Sequence, residues 1–237
     1  MGISAGLKIS SIIGVGICAL LGGAVAPANA SVLTFSSDTS AFWLPDTYGD
    51  RIGSQAAPSG WSYGGAENTP NVEMSYTTIP AGIDFAVYGT GYGNLDRGLG
   101  HGPYDVDSLL TFTPDANWYV KLDSFEIASW SAGAPYDTII NLSDDNGLVW
   151  SWSGSVPYVD GSGNPTHLTF TPNAWGVVGA LKLSINNLGS TGLDNIHFSQ
   201  GLSPVPLPAA AWLFGSALLG LGWTKRFRRQ SREALIA

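Results

Sequence analysis

The chain has 237 residues and a formal net charge of −8, which is the sum of a strongly acidic segment and a basic segment near the end of the sequence. Residues 31–203 carry four basic side chains against seventeen acidic ones, a net charge near −13, whereas five Lys and Arg residues lie within 225–232. So acidic a surface repels phosphate backbones, which excludes nucleic acid as a partner. Because Cys18 is the only cysteine, no intramolecular disulfide can form, and the fold must be stabilised by burial.

Residues 1–30 have the pattern of a secretory signal peptide. Lys8 precedes an apolar run over 9–25, and residues 28–30 supply the small side chains of a cleavage site. We therefore predict cleavage before Ser31 and one ectodomain over 31–203, a length suited to a single domain.

The ectodomain is rich in Gly, Ser, Thr, Asn and aromatic residues and poor in Lys and Glu, which favours strands and tight turns over long helices. Within 177–185, Leu181, Leu183 and Ile185 share one face while Lys182 points away, as in half-buried antiparallel sheet. The predicted strands are 72–79, 83–88, 109–113, 118–122, 125–130, 138–142, 148–152, 168–171, 177–185 and 196–198. Their number and spacing predict an all-β fold, an antiparallel β-sandwich of the jelly-roll kind.

Two segments of the ectodomain echo each other. Residues 110–122 and 168–183 both contain Leu-Thr-Phe-Thr-Pro followed by a turn and a second strand. Two copies are too few for a solenoid, so we interpret them as two comparable corners of one sandwich.

The most polar stretch runs from Asp96 to Asp107, where glycines alternate with charged and aromatic residues. We interpret it as a glycan-binding loop, since Gly-rich backbone lets a ligand approach closely, carboxylates accept hydrogen bonds from sugar hydroxyls, and Tyr92 or Tyr104 would stack on a sugar face. The candidate ligand-binding residues are Asp96, His101, Tyr104, Asp105 and Asp107. The alternative is a solvated connection with Asp at turn positions.

A structural calcium ion is the candidate cofactor, and no cofactor is required by the sequence. Asp194 lies near the end of the ectodomain and Asp38 near its start, and their oxygen ligands would suit calcium if the first and last strands meet. The alternative is that Asp194 bonds to the backbone of its own turn. The three histidines, at 101, 167 and 197, lack ligand spacing, so no zinc site is predicted.

No catalytic residue is predicted. Residues 60–64 match the nucleophile-elbow pattern, but Ser62 has neither a strand before it nor a helix after it. Most of the tryptophans, among them Trp150 and Trp152 on one sheet face, are interpreted as core, with a glycan platform as the alternative. The run Gly-Leu-Asp-Asn-Ile within 192–200 resembles the closing strand of galactose-binding-like and carbohydrate-binding jelly rolls.

The tail, 204–237, combines a Pro motif, an apolar segment and a basic end. A helix over about 209–223 spans roughly 22 Å, short of the ~30 Å hydrocarbon core, so we predict a marginal transmembrane anchor. The basic end would hold that side in the cytoplasm. The motif is Val205, Pro206, Leu207, Pro208 and Ala209, and the basic stretch over 225–232 includes Lys225, Arg226, Arg228 and Arg229.

This tail resembles the sorting signal of PEP-CTERM proteins in the VPLPA-CTERM variant, whose string stands intact at 205–209. The resemblance implies an exported Gram-negative protein that is anchored in the inner membrane, recognised there by an exosortase, cut near the motif and released to the cell surface or extracellular matrix. The alternative is an ordinary single-pass anchor, although such an anchor needs no Pro-Leu-Pro sequence.

The sequence thus predicts an exosortase substrate whose ectodomain is a non-enzymatic module that binds or organises extracellular polysaccharide. Two alternatives stay open at this point. The ectodomain would be a secreted glycan hydrolase or lyase if paired carboxylates met at a suitable separation, which sequence cannot supply. It would be a purely structural matrix protein if it bound no glycan.

Overall fold

A computed structural model describes residues 29–37, 42–65, 68–89, 92–102, 106–130, 135–157, 166–176, 179–203 and 216–217. Apart from Ser216 and Ala217, which are helical, the described residues form strands, turns, bends and irregular connections. The strands are β1 (Asn29–Leu33), β2 (Ser36–Ser37), β3 (Trp61–Ser62), β4 (Val72–Ile79), β5 (Phe85–Tyr88), β6 (Gly98–His101), β7 (Asp107–Pro114), β8 (Trp118–Ser129), β9 (Tyr136–Asp144), β10 (Gly147–Val156), β11 (His167–Phe170), β12 (Ala174–Trp175), β13 (Leu181–Ile185) and β14 (Thr191–Leu202). The all-β prediction is confirmed.

Two antiparallel sheets form the sandwich. The seven-stranded sheet has the order β11-β8-β14-β6-β5, with β1 added to β14 and β12 added to β8. The five-stranded sheet has the order β10-β9-β13-β7-β4, and β2 and β3 form a separate two-stranded ribbon. The predicted antiparallel sandwich is therefore confirmed.

Alternating side chains from both sheets fill the space between them. On β13, Leu181, Leu183 and Ile185 are buried while the residues between them are half-buried, as the sequence predicted. Phe112 of the five-stranded sheet meets Phe198 of the seven-stranded sheet with ring centroids 5.2 Å apart, and both are fully buried. Burial of side chains of this size contributes roughly 1.5–3 kcal/mol each. Burial of apolar side chains between the sheets thus stabilises a fold that has no disulfide.

The first and last strands of the sandwich lie side by side. Asn29 pairs with Gln200 and Leu33 pairs with Ile196, in antiparallel register. The expectation that the start and the end of the ectodomain meet is confirmed. Three of the five pairs, from Ser31 onward, belong to the predicted ectodomain.

The two echoing segments do form corners of the sandwich. The first passes from β7 in the five-stranded sheet to β8 in the seven-stranded sheet, and the second passes from β12 back to β13. The two strands predicted over 118–130 are one continuous strand, β8. Its pairing with β14 is irregular at two adjacent places: one register shift lies between Asp194 and His197, where Asn195 has a φ of +47°, and the other lies between His197 and Phe198.

The sandwich has one capped side and one open side. On the capped side, residues 42–55 cover the outer edges of β4 and β5: Arg51 N donates to Val72 O at 2.8 Å, and Leu44 N donates to Phe85 O at 2.9 Å. On the open side β10 faces β11, and the ring of Phe170 lies 4.8 Å from Trp152 and 5.7 Å from Trp150. Among the described residues, aromatic side chains thus fill much of the gap between the sheets on that side, and Ser129 N donates to Pro157 O at 3.2 Å across it.

Among the described residues there is no helix long and apolar enough to cross a bilayer. Most of the anchor predicted over about 209–223 lies outside the described residues, as do the Pro motif at 205–209 and the basic end.

Candidate functional site

A pocket opens on the capped side of the sandwich, where the edges of β4 and β5 part. Its volume is about 340 Å³, at the lower end of the range typical of small-molecule sites. The residues that line it are Trp43, Leu44, Pro45, Asp46, Tyr76, Ile83, Asp84 and Phe85.

Backbone pairing fixes one wall of the pocket. Val87 N donates to Phe42 O at 2.7 Å and Leu44 N donates to Phe85 O at 2.9 Å, so residues 42–44 run along β5 as a short additional edge. Trp43 forms an isolated bridge with Ala86 in this pairing. The backbone beneath the indole is therefore held by the sheet and is not a free loop.

The side chain of Trp43 projects into solvent at the mouth of this pocket. It is 60% exposed, and its neighbour Phe42 is 42% exposed. The two rings meet edge to face at 4.9 Å, and Phe42 in turn meets Tyr88 at 5.0 Å. Phe42 thus supports the indole while leaving much of it uncovered.

Polar groups of two kinds complete the pocket. Asp46 and Asp84 are exposed carboxylates in its lining. Tyr76 donates its hydroxyl to the carbonyl of Tyr48 at 2.8 Å. Burial raises the pKa of Tyr76 well above its ordinary value, so that the phenol stays neutral. An exposed indole beside two carboxylates can bind a ligand that has both an apolar face and hydroxyl groups.

The predicted binding stretch over 96–107 is not one exposed loop. Gly98–His101 form the buried strand β6, and His101 is 1% exposed with its Nε2 3.0 Å from Ser108 Oγ. The assignment of His101 to a ligand-binding surface is therefore wrong: its ring packs edge-on against Phe85 at 5.9 Å within the sandwich.

The other residues of that stretch are separated from one another. Asp96 is exposed before β6 in the seven-stranded sheet, whereas Asp107 is exposed at the start of β7 in the five-stranded sheet. Tyr104 and Asp105 lie outside the described residues. The structure thus does not bring Asp96, His101 and Asp107 together as one binding surface.

Tyr92, expected to stack on a sugar, is 3% exposed. Its ring lies against the outer face of the seven-stranded sheet, where a Cβ added at Gly98 or at Gly192 would come within 2.5 Å of it. Gly98 and Gly100 belong to the stretch that was predicted to expose its backbone to a ligand, but the side chain of Tyr92 packs against both of them. Trp130 closes the small cluster at 5.1 Å from the Tyr92 ring.

Asp194 lies in the last strand as predicted, but it is 1% exposed. Its Oδ1 accepts a hydrogen bond from Asn195 N at 2.7 Å, and its carboxylate also accepts from the backbone of Arg97. Desolvation raises the pKa of Asp194 to about 7, and the nearby charges of Glu126 and Asp96 act in the same direction.

The surroundings of Asp194 do not form a metal centre in the described part of the chain. No group of three or more His, Cys, Asp or Glu side chains is placed there to hold an ion. Asp38, the other predicted calcium ligand, lies outside the described residues. The bond from Asn195 N agrees with the alternative that Asp194 holds the backbone of its own turn.

The Trp43 pocket was not predicted from the sequence. The interpretation of most tryptophans as core holds for Trp61, which is buried, and for Trp150 and Trp152, which pack partly buried against the core. Trp43 differs from these three, because its side chain is 60% exposed. The available signal was the pair Phe42-Trp43, two large aromatic residues that fall outside every predicted strand and are followed, after Leu44, by Pro45 and Asp46.

Fold and pocket together define an antiparallel β-sandwich with an aromatic pocket at one edge. No protein-family model matches the chain. A relative is the "Putative transmembrane protein ORF1334" of Acidianus two-tailed virus, 25% identical over 167 residues. That alignment takes in 65% of this chain but only 12% of the viral protein.

Solved structures resemble the chain only weakly. A cyclase from Fischerella has a TM-score of 0.30 at 15% identity, with 73% of this chain and 100% of that chain covered. An arabinose-bound α-L-arabinofuranosidase has a TM-score of 0.29 at 14% identity, with coverages of 75% and 31%. A family 11 carbohydrate-binding module from Clostridium thermocellum has a TM-score of 0.25 at 12% identity, with coverages of 76% and 99%. Enzymes and binding modules occur side by side among them, so these resemblances do not decide whether the chain is an enzyme.

Proposed function

We propose that this protein is a non-enzymatic glycan-binding module of the jelly-roll kind, which holds neutral polysaccharide at the Trp43 pocket. The observation that carries the proposal is the 60% exposed indole of Trp43 at the mouth of a pocket of about 340 Å³. Burying an exposed indole face against a ligand removes apolar surface from water, and this contributes favourably to the free energy of binding.

The chemistry of the pocket favours sugars over other ligands. A pyranose ring has an apolar C–H face that stacks on an indole, while its hydroxyl groups donate to carboxylates such as those of Asp46 and Asp84. The net charge near −13 over 31–203 opposes the approach of anionic polysaccharides. A neutral glycan is therefore the ligand class that fits.

Retention on insoluble glycans tests the proposal. We expect the purified chain to sediment with at least one neutral polysaccharide among β-glucan, xylan and mannan. Trp43→Ala is expected to weaken that retention roughly tenfold or more, since tenfold corresponds to about 1.4 kcal/mol and an aromatic anchor of a binding site typically contributes about 2 kcal/mol or more. Leu202→Ala is the matched control, because Leu202 is an apolar side chain of comparable exposure, at 51%, that lies outside both the pocket and β10.

Two results would contradict the proposal. One is the absence of retention on all three glycans, which would leave a structural matrix protein; the other is equal retention of Trp43→Ala and the unaltered chain. Release of reducing ends that disappears in Asp84→Asn would instead identify a hydrolase, since two carboxylates line the pocket.

We infer further that the chain is exported, anchored briefly in the inner membrane by its tail and processed by an exosortase. The support is the order of three features: the Val-Pro-Leu-Pro-Ala string at 205–209, the uncharged segment at 209–223 and the basic cluster from Lys225. A protein sorted in this way ends at the cell surface or in the extracellular matrix, where polysaccharide is available to the pocket.

The sorting inference predicts a loss of mass and of membrane attachment. In a Gram-negative host with an active matching exosortase, we expect the full chain to be shortened near 205–209 and to leave the inner membrane, as followed by fractionation and intact mass. Replacing Pro206 and Pro208 by alanine is expected to leave full-length protein in that membrane. Persistence of the unaltered full-length chain there would show that the tail is an ordinary anchor.

A further inference from the structure

The outer edge of β10 is unpaired among the described residues. This strand of ten residues, Gly147–Val156, pairs with β9 on its inner edge. No hydrogen bond from another described segment reaches its outer edge. The opposite edge strand of the same sheet, β4, is covered: Arg51 N donates to Val72 O, and Asp50 Oδ1 accepts from Met74 N.

The sequence of β10 offers little protection against pairing. Edge strands of natural proteins are commonly interrupted by charged residues or proline. β10 contains neither from Gly147 to Val156. One irregularity, between Leu148 and Trp150, disturbs the ladder near the hairpin and leaves Trp150–Val156 regular. With respect to the described residues, the strand is therefore available for pairing over most of its length.

We propose that β10 of one chain pairs antiparallel with β10 of a second copy, around a two-fold axis at Ser151. Residues 149–153 read Val-Trp-Ser-Trp-Ser, which is nearly the same in both directions about Ser151. In this register each Trp150 lies opposite Trp152 of the second copy, on the inner face. Aromatic cross-strand pairs of this kind stabilise antiparallel sheets.

Charge and exposure favour a second copy as the occupant. The domain is strongly acidic, so most of its surfaces repel one another, but β10 brings no charge to the contact. Exposed apolar side chains lie at the same end of the five-stranded sheet: Leu148 is 65% exposed and Ile139 is 50% exposed. Pairing would join the two five-stranded sheets into one and bring Leu148 opposite Gly154 of the second copy, while Ile139 would extend the apolar outer face of the joined sheet.

A single introduced cysteine tests the contact in the full chain. Ser151 is exposed on β10, and residues directly opposite each other in an antiparallel pair have Cα atoms about 4.5 or 5.5 Å apart, within disulfide reach. In a Cys18→Ser background, Ser151→Cys is expected to give at least tenfold more disulfide-linked dimer under mild oxidation than Ser75→Cys. Ser75 is the matched control, exposed on the capped edge strand β4.

A charge at the two-fold axis provides an independent measurement. Ser151→Lys places two ammonium groups opposite each other, and we expect it to raise the dimer dissociation constant at least tenfold in sedimentation of the full chain in mild detergent. Ser75→Lys is expected to leave that constant unchanged. Equal cross-linking of the two cysteine variants, or a mass that neither lysine substitution alters, would overturn the proposal. Circular dichroism of each variant establishes whether the fold is retained. If a cysteine variant does not fold, the comparison of Ser151→Lys with Ser75→Lys tests the proposal instead.

Discussion

Replacing Phe112 by alanine is expected to lower the free energy of unfolding by about 3–5 kcal/mol, the range for truncating a buried phenylalanine. Phe112 is fully buried and its ring meets that of Phe198 across the two sheets at 5.2 Å. The substitution removes the transfer energy of the ring and leaves a cavity between two sheets that strand pairing holds in place. With no disulfide in the ectodomain, little else compensates for this loss.

Urea unfolding of residues 31–203, followed by tryptophan fluorescence, measures the effect. Phe42→Ala is the matched control, because it removes the same ring from a side chain that is 42% exposed. We expect it to cost less than about 1 kcal/mol, as surface substitutions usually do. Similar losses for the two variants would show that the contact between the sheets does not dominate stability.

Replacing Asp194 by asparagine is expected to stabilise the domain at neutral and alkaline pH. The pKa of Asp194 is about 7 in the folded chain, because burial disfavours the carboxylate, against an ordinary value near 3.9 in the unfolded chain. Between these values the folded state binds a proton that the unfolded state has lost, so the free energy of unfolding falls as pH rises from about 4 to about 7. Asn keeps an oxygen that can accept from Asn195 N but carries no charge.

The expected result is a gain of roughly 2–4 kcal/mol for Asp194→Asn above pH 7, at about 1.4 kcal/mol per pKa unit, which shrinks to nothing below about pH 4. Urea unfolding at a series of pH values provides the measurement, with Asp107→Asn as the control because Asp107 is exposed on the other sheet. A difference between Asp194→Asn and the unaltered chain that is the same at every pH would refute the assignment of the destabilising charge to Asp194.

Much of the sandwich could be predicted because its strands follow local rules. β4 begins at Val72 and ends at Ile79 as predicted, and in β13 the alternation of Leu181, Leu183 and Ile185 marks the buried face. Strand β6 could not be predicted in this way. Its sequence, Gly-Leu-Gly-His, has the composition of a flexible loop, and its glycines are explained only by the ring of Tyr92 that packs on Gly98.

The candidate site was harder to predict than the fold, since exposure depends on tertiary pairing. Nothing in the sequence indicates that residues 42–44 run along β5, yet this pairing is what places Trp43 at a pocket mouth. The prediction for His101 also depended on exposure. A polar residue between two glycines suggested an exposed loop, but tertiary pairing places His101 in the buried strand β6. Asp194 was correctly assigned to the last strand, but the sequence does not indicate its burial or the hydrogen bond that it accepts from the backbone of Arg97, which comes from another part of the chain.

The Trp43 pocket and the outer edge of β10, which no described strand pairs with, lie on opposite sides of the sandwich. A pair joined through β10 would therefore carry its two pockets at its far ends, directed away from each other. Such a pair could hold two separate glycan strands and so act as a cross-link, with an avidity on a shared strand network that exceeds the affinity of one pocket, by up to 10²–10⁴-fold for well-matched geometry. A module that is only a weak binder by itself would then stiffen a polysaccharide network in proportion to its local concentration.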